Sequence, residues 1–346
     1  MSSPKSSRPA AVPGTSPEAA EATVPPVPGP EELEDARRRL DGRLRRTPIV
    51  AFGDESSPGG ESSPGGGTLL KLELLQHTGS FKARGALNAL LAGSPPAGVA
   101  AASGGNHGAA VAWAAARCGV RAAIFVPASS PVLKAARIRS YGGDLHLVDG
   151  QYADALEASV AYAARTGARQ VHAYDDPLVV AGQGTLGTEL LEQAGGATTV
   201  LVSCGGGGLY AGVSLTCAGR ATVLPVEPEA APSLHAAVSA GRSVPVEVAG
   251  VAIDSLGARY AGTIATSVAL AAGVRPLLVT EEAISNARRL LWEQLRILAE
   301  PGGATALAAI VGGAYVPHSG ETVVVVVSGG NSSSLPADEP TPPATD

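Results

Sequence analysis

Three short apolar runs in this 346-residue chain end in the same way. Ala100-Ala101-Ala102 runs into Ser103-Gly104-Gly105, Leu201-Val202 into Ser203-Cys204-Gly205-Gly206, and Val325-Val326-Val327 into Ser328-Gly329-Gly330. Each run has strand length, and the first two turns lead at once into segments with helical spacing, from His107 and from Leu209. Strand, glycine turn and helix in alternation predict parallel sheets covered by helices on both faces. Ligands of such sheets gather at the carboxyl ends of strands, so Ser103, Ser203 and Ser328 are expected around one site. A plain turn serine is the competing reading at each position.

The alternation extends through most of the chain. A helix is expected over EELEDARRRLDGRLRR after Pro30, with acidic residues first and arginines last, closed by Thr47-Pro48. Thr68 to Leu74 reads as a strand. Then come Gly98 to Ser103 and His107 to Cys118, Arg121 to Pro127 and Pro131 to Tyr141, Leu145 to Val148 and Tyr152 to Thr166 as strand and helix pairs. Val171 to Tyr174 is expected as a strand before a helix near Val179 to Gln193. Thr198 to Ser203, Ala221 to Glu227 and Thr322 to Ser328 complete the strands, with helices near Glu281 to Leu298 and Ala304 to Val311.

Two Pro/Ser-rich ends, 1–30 and 334–346, read as disordered tails, with no regulatory domain expected after the second. The stretch 53–67 holds ESSPGG twice, at Glu55 and Glu61, and is read as a surface loop whose length matters little. A net charge of −6 without a basic run argues against nucleic-acid binding, and no apolar stretch is long enough for a membrane span. Cys118, Cys204 and Cys217 lack metal or disulfide spacing, so a cytoplasmic protein is expected.

One lysine stands out. In Thr78-Gly79-Ser80-Phe81-Lys82-Ala83-Arg84-Gly85-Ala86-Leu87-Asn88 the apolar positions have helical spacing, and the residues before Phe81 offer turn and capping chemistry. Lys82 thus falls in the first helical turn, where the dipole disfavours a cation, and beside an apolar ring. A neutral amine is the nucleophile that condenses with an aldehyde, so a Schiff-base lysine is one reading. A solvated surface lysine is the other.

The glycine turns bear on that choice. Four consecutive glycines, Gly205 to Gly208, followed by Leu209, let backbone N–H groups converge on a phosphate at a helix start. Gly206, Leu209 and Ala211, with Glu227 about 20 residues on, also fit a dinucleotide fingerprint. In Ser103-Gly104-Gly105-Asn106-His107-Gly108, backbone donors can face a carboxylate while the Asn106 amide bonds a ring substituent. Asn106 as a helix N-cap and His107 as a structural residue are the alternatives.

Taken together, TGSFKARGALN, SGGNHG, SCGGGGL and VVVVSGGN resemble, in order and spacing, the fold-type II pyridoxal-phosphate enzymes, in the serine/threonine dehydratase (threonine ammonia-lyase) and serine racemase branch. The resemblance covers Leu33 to Asn331. It implies an α/β, tryptophan synthase β-like fold of two domains: a large domain from 31–97 and 168–333, and a small one inserted at 98–167. It implies pyridoxal 5′-phosphate in the cleft, carried on Lys82, supported by Phe81, with its phosphate on Gly205, Gly206, Gly207, Gly208 and Leu209. Asn106 would meet its 3′-oxygen and Ser328 its ring nitrogen, while Ser103, Asn106 and His107 grip the substrate carboxylate.

The reaction implied is β-elimination of water from a hydroxy amino acid, with Lys82 taking the Cα proton and the aminoacrylate formed giving a 2-oxo acid and ammonia. Serine racemase or β-replacement chemistry is the nearest alternative. A non-catalytic pyridoxal-phosphate carrier or a nicotinamide-dependent oxidoreductase is the reading from a different class. Racemisation needs a proton donor opposite Lys82, which the resembling racemases place as a serine where this chain has Gly104. Some members bind a divalent cation through a glutamate and an aspartate six residues on; Glu227 matches the first, but Ser233 stands at the second, so no metal is expected. Glu300 sits where glutamate is common, without an assigned role. The expected partners are a small amino-acid substrate and a second copy of the chain, as a homodimer.

Overall fold

The structure is a computed structural model and describes residues 25–53, 67–93 and 95–332. Residues 1–24, 333–346 and most of the expected loop 53–67 lie outside the described residues. In chain order the strands are β1 Ile49–Phe52, β2 Gly67–Lys71, β3 Val99–Ala102, β4 Ala122–Pro127, β5 Asp144–Val148, β6 Arg169–Gln170, β7 Thr199–Ser203, β8 Thr222–Pro228, β9 Leu277–Val279 and β10 Thr322–Val326. The α-helices are α1 Pro30–Leu40, α2 Lys82–Leu91, α3 Asn106–Cys118, α4 Val132–Ser140, α5 Tyr152–Thr166, α6 Pro177–Gln193, α7 Gly208–Cys217, α8 Ser233–Ala240, α9 Ile253–Leu256, α10 Thr263–Ala272, α11 Glu281–Leu295 and α12 Pro301–Val311.

The strands form a six-stranded sheet, ordered β1-β2-β10-β7-β8-β9, and a four-stranded sheet, ordered β5-β4-β3-β6. Among these strands only β1 runs antiparallel to its neighbour. The fold is therefore α/β with two mainly parallel sheets flanked by helices. The continuous valine run of β10 lies between β2 and β7 with Val323 to Val326 fully buried, as a strand apolar on both faces requires.

Three local readings change. The first helix stops at Leu40 instead of running through the later arginines, because Gly42 takes a left-handed turn with φ 65°. Val171 to Tyr174 is not a strand: β6 ends at Gln170, and the chain then leaves the sheet. The carbonyls of Val171 and Ala173 are instead engaged by the side chains of His107 and Lys82. The third change concerns Ser80, expected to cap the lysine helix. It is held extended by a bridge to Gly329, and Phe81 takes the cap position without a side-chain bond.

Beneath α2 lies a buried ionic cluster. Arg84 donates to Glu73 at 2.7 and 2.8 Å and to Glu189 of α6 at 2.9 Å, while Lys71 donates to Glu189 at 2.5 Å. Although burial works against its charge, the adjacent Arg84 guanidinium holds the Glu73 carboxyl below its usual range. Breaking one partner would leave a buried charge uncompensated, so the cluster clamps α2 onto α6 and fixes the base of the lysine helix.

Candidate active site

Lys82 is the first residue of α2, as the helical spacing required. Its Nζ donates to the Ala173 carbonyl at 2.8 Å and lies 4.9 Å from the centre of the Phe81 ring. Burial pushes its amine down to about 8, with the Glu300 carboxylate opposing the shift. About a tenth of the amine is therefore neutral at pH 7, far more than a surface lysine offers.

The carboxyl ends of β3, β7 and β10 converge on this lysine. Phe81 donates its N–H to the Ser328 carbonyl at 3.1 Å, and Gly330 donates to the Gly79 carbonyl at 3.0 Å, so the β10 turn is sewn to the turn before Lys82. Ser328 is buried, its hydroxyl 3.5 Å from the Gly302 carbonyl. Ser203 belongs to the scaffold, since its hydroxyl accepts the Ala306 N–H at 3.0 Å. The Ser103 hydroxyl likewise accepts the Gly105 N–H at 3.2 Å and shapes its own turn.

The four-glycine loop after β7 enters α7 with Gly207 at φ 88°. A Cβ at Gly206 would lie 2.3 Å from the Tyr174 ring, and one at Gly207 would lie 2.3 Å from Cβ of Ala265. One at Gly205 would meet the Leu256 backbone at 3.0 Å, and one at Gly208 the Tyr174 carbonyl at 2.7 Å. None of the four tolerates a side chain. The first N–H groups of a helix have no intrahelical acceptor and lie at its positive end, so the loop offers converging donors in a space kept free of side chains. That matches a phosphate. The wall is itself fixed: Asp175 accepts from Thr263 N, Thr263 Oγ1 and Ile264 N at 2.8 to 3.0 Å, and so seats α10 behind the loop.

Asn106 is the first residue of α3, and Gly105, not Asn106, occupies the cap position. The Asn106 Nδ2 donates to Glu300 at 2.6 Å and its Oδ1 accepts from Asn331 at 2.7 Å. His107 is buried, with Nε2 3.0 Å from the Val171 carbonyl; a carbonyl only accepts, so Nε2 carries the proton. Burial, then the neighbouring Lys82 charge, push the imidazole down to about 3. The ring is thus neutral and structural, and what His107 can offer a carboxylate is its backbone N–H in the first turn of α3.

Glu227 has a structural occupation. Its carboxylate accepts from Leu234 N at 2.7 Å, His235 N at 2.8 Å and Ser233 Oγ at 3.3 Å, capping α8. Burial raises it to about 7 against those bonds. This accounts for a buried acid at the end of β8 without a ribose or a cation. Glu300 is also buried and raised to about 7 by burial, while its bond from Asn106 and the charges of Arg137 and Lys134 pull the other way.

Some site residues escaped the sequence reading: Tyr174 walls the glycine loop and Ala173 holds Lys82, while Glu300, singled out there without a role, reaches Asn106 across 194 residues. Lys134 of α4 pairs with Asp254 of α9 at 2.9 Å, joining a helix packed on β5 of the four-stranded sheet to one packed on α12. Only the Ser-Gly-Gly-Asn ending after β10 carried a readable signal; the others are tertiary neighbours with no local pattern.

Does this constellation fit pyridoxal phosphate? A half-buried amine of lowered basicity, a glycine loop packed too closely for side chains so that only backbone faces a ligand, and two buried hydroxyls without partners among the described residues in the turn before that amine, Thr78 Oγ1 and Ser80 Oγ, are groups such a cofactor can use. The residues fit. The fold and site define the pyridoxal-phosphate dependent enzymes, and the sequence model of that family matches residues 40–329: this chain belongs to it. An L-threonine ammonia-lyase of Geobacter sulfurreducens is 36% identical over 307 residues, covering 86% of this chain and 74% of that one. The crystal structure of a threonine deaminase from T.th. is 38% identical with a TM-score of 0.79, covering 88% of this chain and 99% of that one. A maize serine racemase structure is 30% identical with a TM-score of 0.81, covering 88% and 94%. Membership settles the cofactor as pyridoxal phosphate and leaves the dinucleotide reading of Gly206 and Glu227 without support.

Proposed function

We propose that this protein is a serine/threonine-type ammonia-lyase, which removes water from a β-hydroxy amino acid and releases a 2-oxo acid and ammonia. The observation that carries the reading is Lys82: an amine lowered to about 8 whose Nζ is held by the Ala173 carbonyl, next to Tyr174, the residue that packs on the four-glycine loop. Similarity to an L-threonine ammonia-lyase over most of both chains supports the same reaction class.

In this reading Lys82 holds the cofactor through Nζ, Phe81 flanks its ring, and the N–H groups of Gly205, Gly206, Gly207, Gly208 and Leu209 hold its phosphate. Ser328 pairs with the ring nitrogen and Asn106 with the ring oxygen. When bound, pyridoxal phosphate serves as the electron sink that makes the substrate Cα–H acidic. Nζ of Lys82 would take the Cα proton, and its lowered basicity would let it act as base and then as acid near neutrality. Ser103 and the first-turn N–H groups of Asn106 and His107 orient the substrate carboxylate. The buried, neutral His107 ring moves no proton at this pH.

Elimination is favoured over racemisation because Gly104 has no side chain with which to deliver a proton to the opposite face. The division into a large domain of 31–97 and 168–333 and a small domain of 98–167 is part of the same proposal, with the cleft between them as the substrate entrance. So are a cytoplasmic location, with which three free cysteines agree, and a homodimer; among the described residues no helix is long and apolar enough to cross a membrane.

The test is incubation of the purified holoenzyme with L-serine and L-threonine, following 2-oxo acid, ammonia and D-amino acid together. Oxo acid and ammonia in equal amounts, lost in Lys82→Ala, are expected. Absence of oxo acid from both substrates, or D-serine formed as fast as pyruvate, overturns the reading.

A further inference from the structure

Asn331, the last residue of the β10 turn, has no part in the reading above, yet it touches two of its elements. Its Nδ2 donates to the Thr78 carbonyl at 2.8 Å and to Asn106 Oδ1 at 2.7 Å, using both hydrogens of that nitrogen. Asn106 Nδ2 then donates to Glu300 Oε1 at 2.6 Å. A chain of donors therefore runs from the turn before Lys82, through two amides, to a carboxylate.

The direction of that chain is set by its ends. The Thr78 carbonyl can only accept, so Asn331 must present nitrogen to it, and the same nitrogen requires oxygen from Asn106. A turned-over Asn106 would set nitrogen against nitrogen at Asn331 and oxygen against the Glu300 carboxylate. Two hydrogen bonds would become two repulsions in a site partly shut off from water, where unpaired polar groups are costly.

The backbone shows the same fit. Gly79 has φ 77°, and a Cβ there would stand 2.5 Å from Asn331 Oδ1, so the lysine turn and Asn331 are built against each other. The Ser80–Gly329 bridge and the Gly330 N–H bond to Gly79 hold the two segments in that register.

We propose that Asn331 is a positioning residue: by fixing the Asn106 amide, it makes Asn106 offer an N–H, never a carbonyl, to the ring oxygen of the cofactor. The proposal rests on the assignment of Asn106 as a cofactor contact. Of the two N–H bonds of Asn106, one serves Glu300 and the second is the one that meets the cofactor. Both N–H bonds of the Asn331 side chain go to the protein itself, to Thr78 O and Asn106 Oδ1. It also ties the lysine turn to the asparagine turn, so both shift together.

The test compares holoenzyme variants Asn331→Asp, Asn331→Ser and Asn106→Ala by the visible absorption band of the bound cofactor, its pH dependence, kcat and KM. Asn331→Asp keeps the shape but has no N–H to give. It is expected to shift the band and lower kcat about tenfold or more, with KM nearly unchanged and cofactor retained. Asn331→Ser, too short to reach Asn106, gives the same readouts should the aspartate variant fold poorly. Asn106→Ala is expected to reproduce the shift, and combining it with either change at 331 adds nothing further. If Asn106→Ala alters the band while both variants at 331 keep the wild-type band and kcat, Asn331 does not act through Asn106 and the inference is overturned. If Asn106→Ala itself leaves the band unchanged, it is the cofactor contact that fails, and the inference with it.

Discussion

The two glycine turns that face Lys82 look alike in sequence and differ in what surrounds them. In the turn after β7, every glycine from Gly205 to Gly208 has a neighbour within 3.0 Å of the place a Cβ would occupy. In the turn after β3, Gly104 has its closest neighbour, the Ser130 hydroxyl, at 3.3 Å, and Gly105 has only the Asp254 carbonyl, at 3.6 Å. The first turn is a socket whose shape allows no side chain. The second is tight at Gly108 but looser at Gly104 and Gly105, the positions where the proposed substrate would lie. On the proposed function, cofactor binding would rest on the tightly packed turn and reaction outcome on the looser one.

The sharpest way to break this contrast is Gly206→Asp. It places a side chain on the Tyr174 ring and a negative charge at the proposed phosphate site, and cofactor affinity is expected to fall about a hundredfold or more. Equilibrium dialysis against pyridoxal phosphate measures it, and unaltered affinity would end the socket account. The pH dependence of cofactor uptake comes next. Only the neutral Lys82 amine condenses, and its value of about 8 lies below that of an ordinary lysine. Uptake by apoprotein should therefore rise about tenfold per pH unit below 8 and level off above it. Stopped-flow absorbance follows it, and a rise continuing to pH 10 would mean an unperturbed lysine.

Gly108→Ala sharpens the comparison within the second turn. Its Cβ would meet the Ser103 carbonyl at 2.1 Å, so this glycine, unlike Gly104, is required by packing. A loss of about 1–3 kcal/mol in stability is expected from denaturant unfolding of the apoprotein. Gly104→Ser should be the mildest change to the molecule: a small shift of the Ser130 hydroxyl accommodates it, with cofactor affinity and stability within about 0.5 kcal/mol of wild type. Its effect is on outcome, since a hydroxyl now stands where the sequence left none. D-serine should appear beside pyruvate, and chiral chromatography of the products decides it.

The socket was readable from the chain because four adjacent glycines between a strand and a helix form a local pattern with a local cause. Lys82 was readable for the same reason, falling in the first turn of a helix whose apolar spacing is plain. What was hidden depends on neighbours distant in sequence. Val171 to Tyr174 has strand composition, yet side chains from α2 and α3 take its carbonyls, so propensity lost to tertiary bonding. Ser80 looks like a cap but is held extended by Gly329, which follows β10, the neighbour of β2 in the sheet, and is distant only in sequence. Glu227 fitted two ligand-binding patterns, and its true partners, Leu234 N and His235 N, belong to a helix the sequence did not announce.

The central claim is that Lys82, and no other lysine, carries the cofactor. Holoenzyme reduced with borohydride, digested and mapped by mass spectrometry should show a phosphopyridoxyl group on the peptide containing Lys82 alone, with the visible band bleached and oxo acid production abolished. Label on Lys71 or Lys134, or a band that survives in Lys82→Ala and reduces onto another residue, would contradict the account.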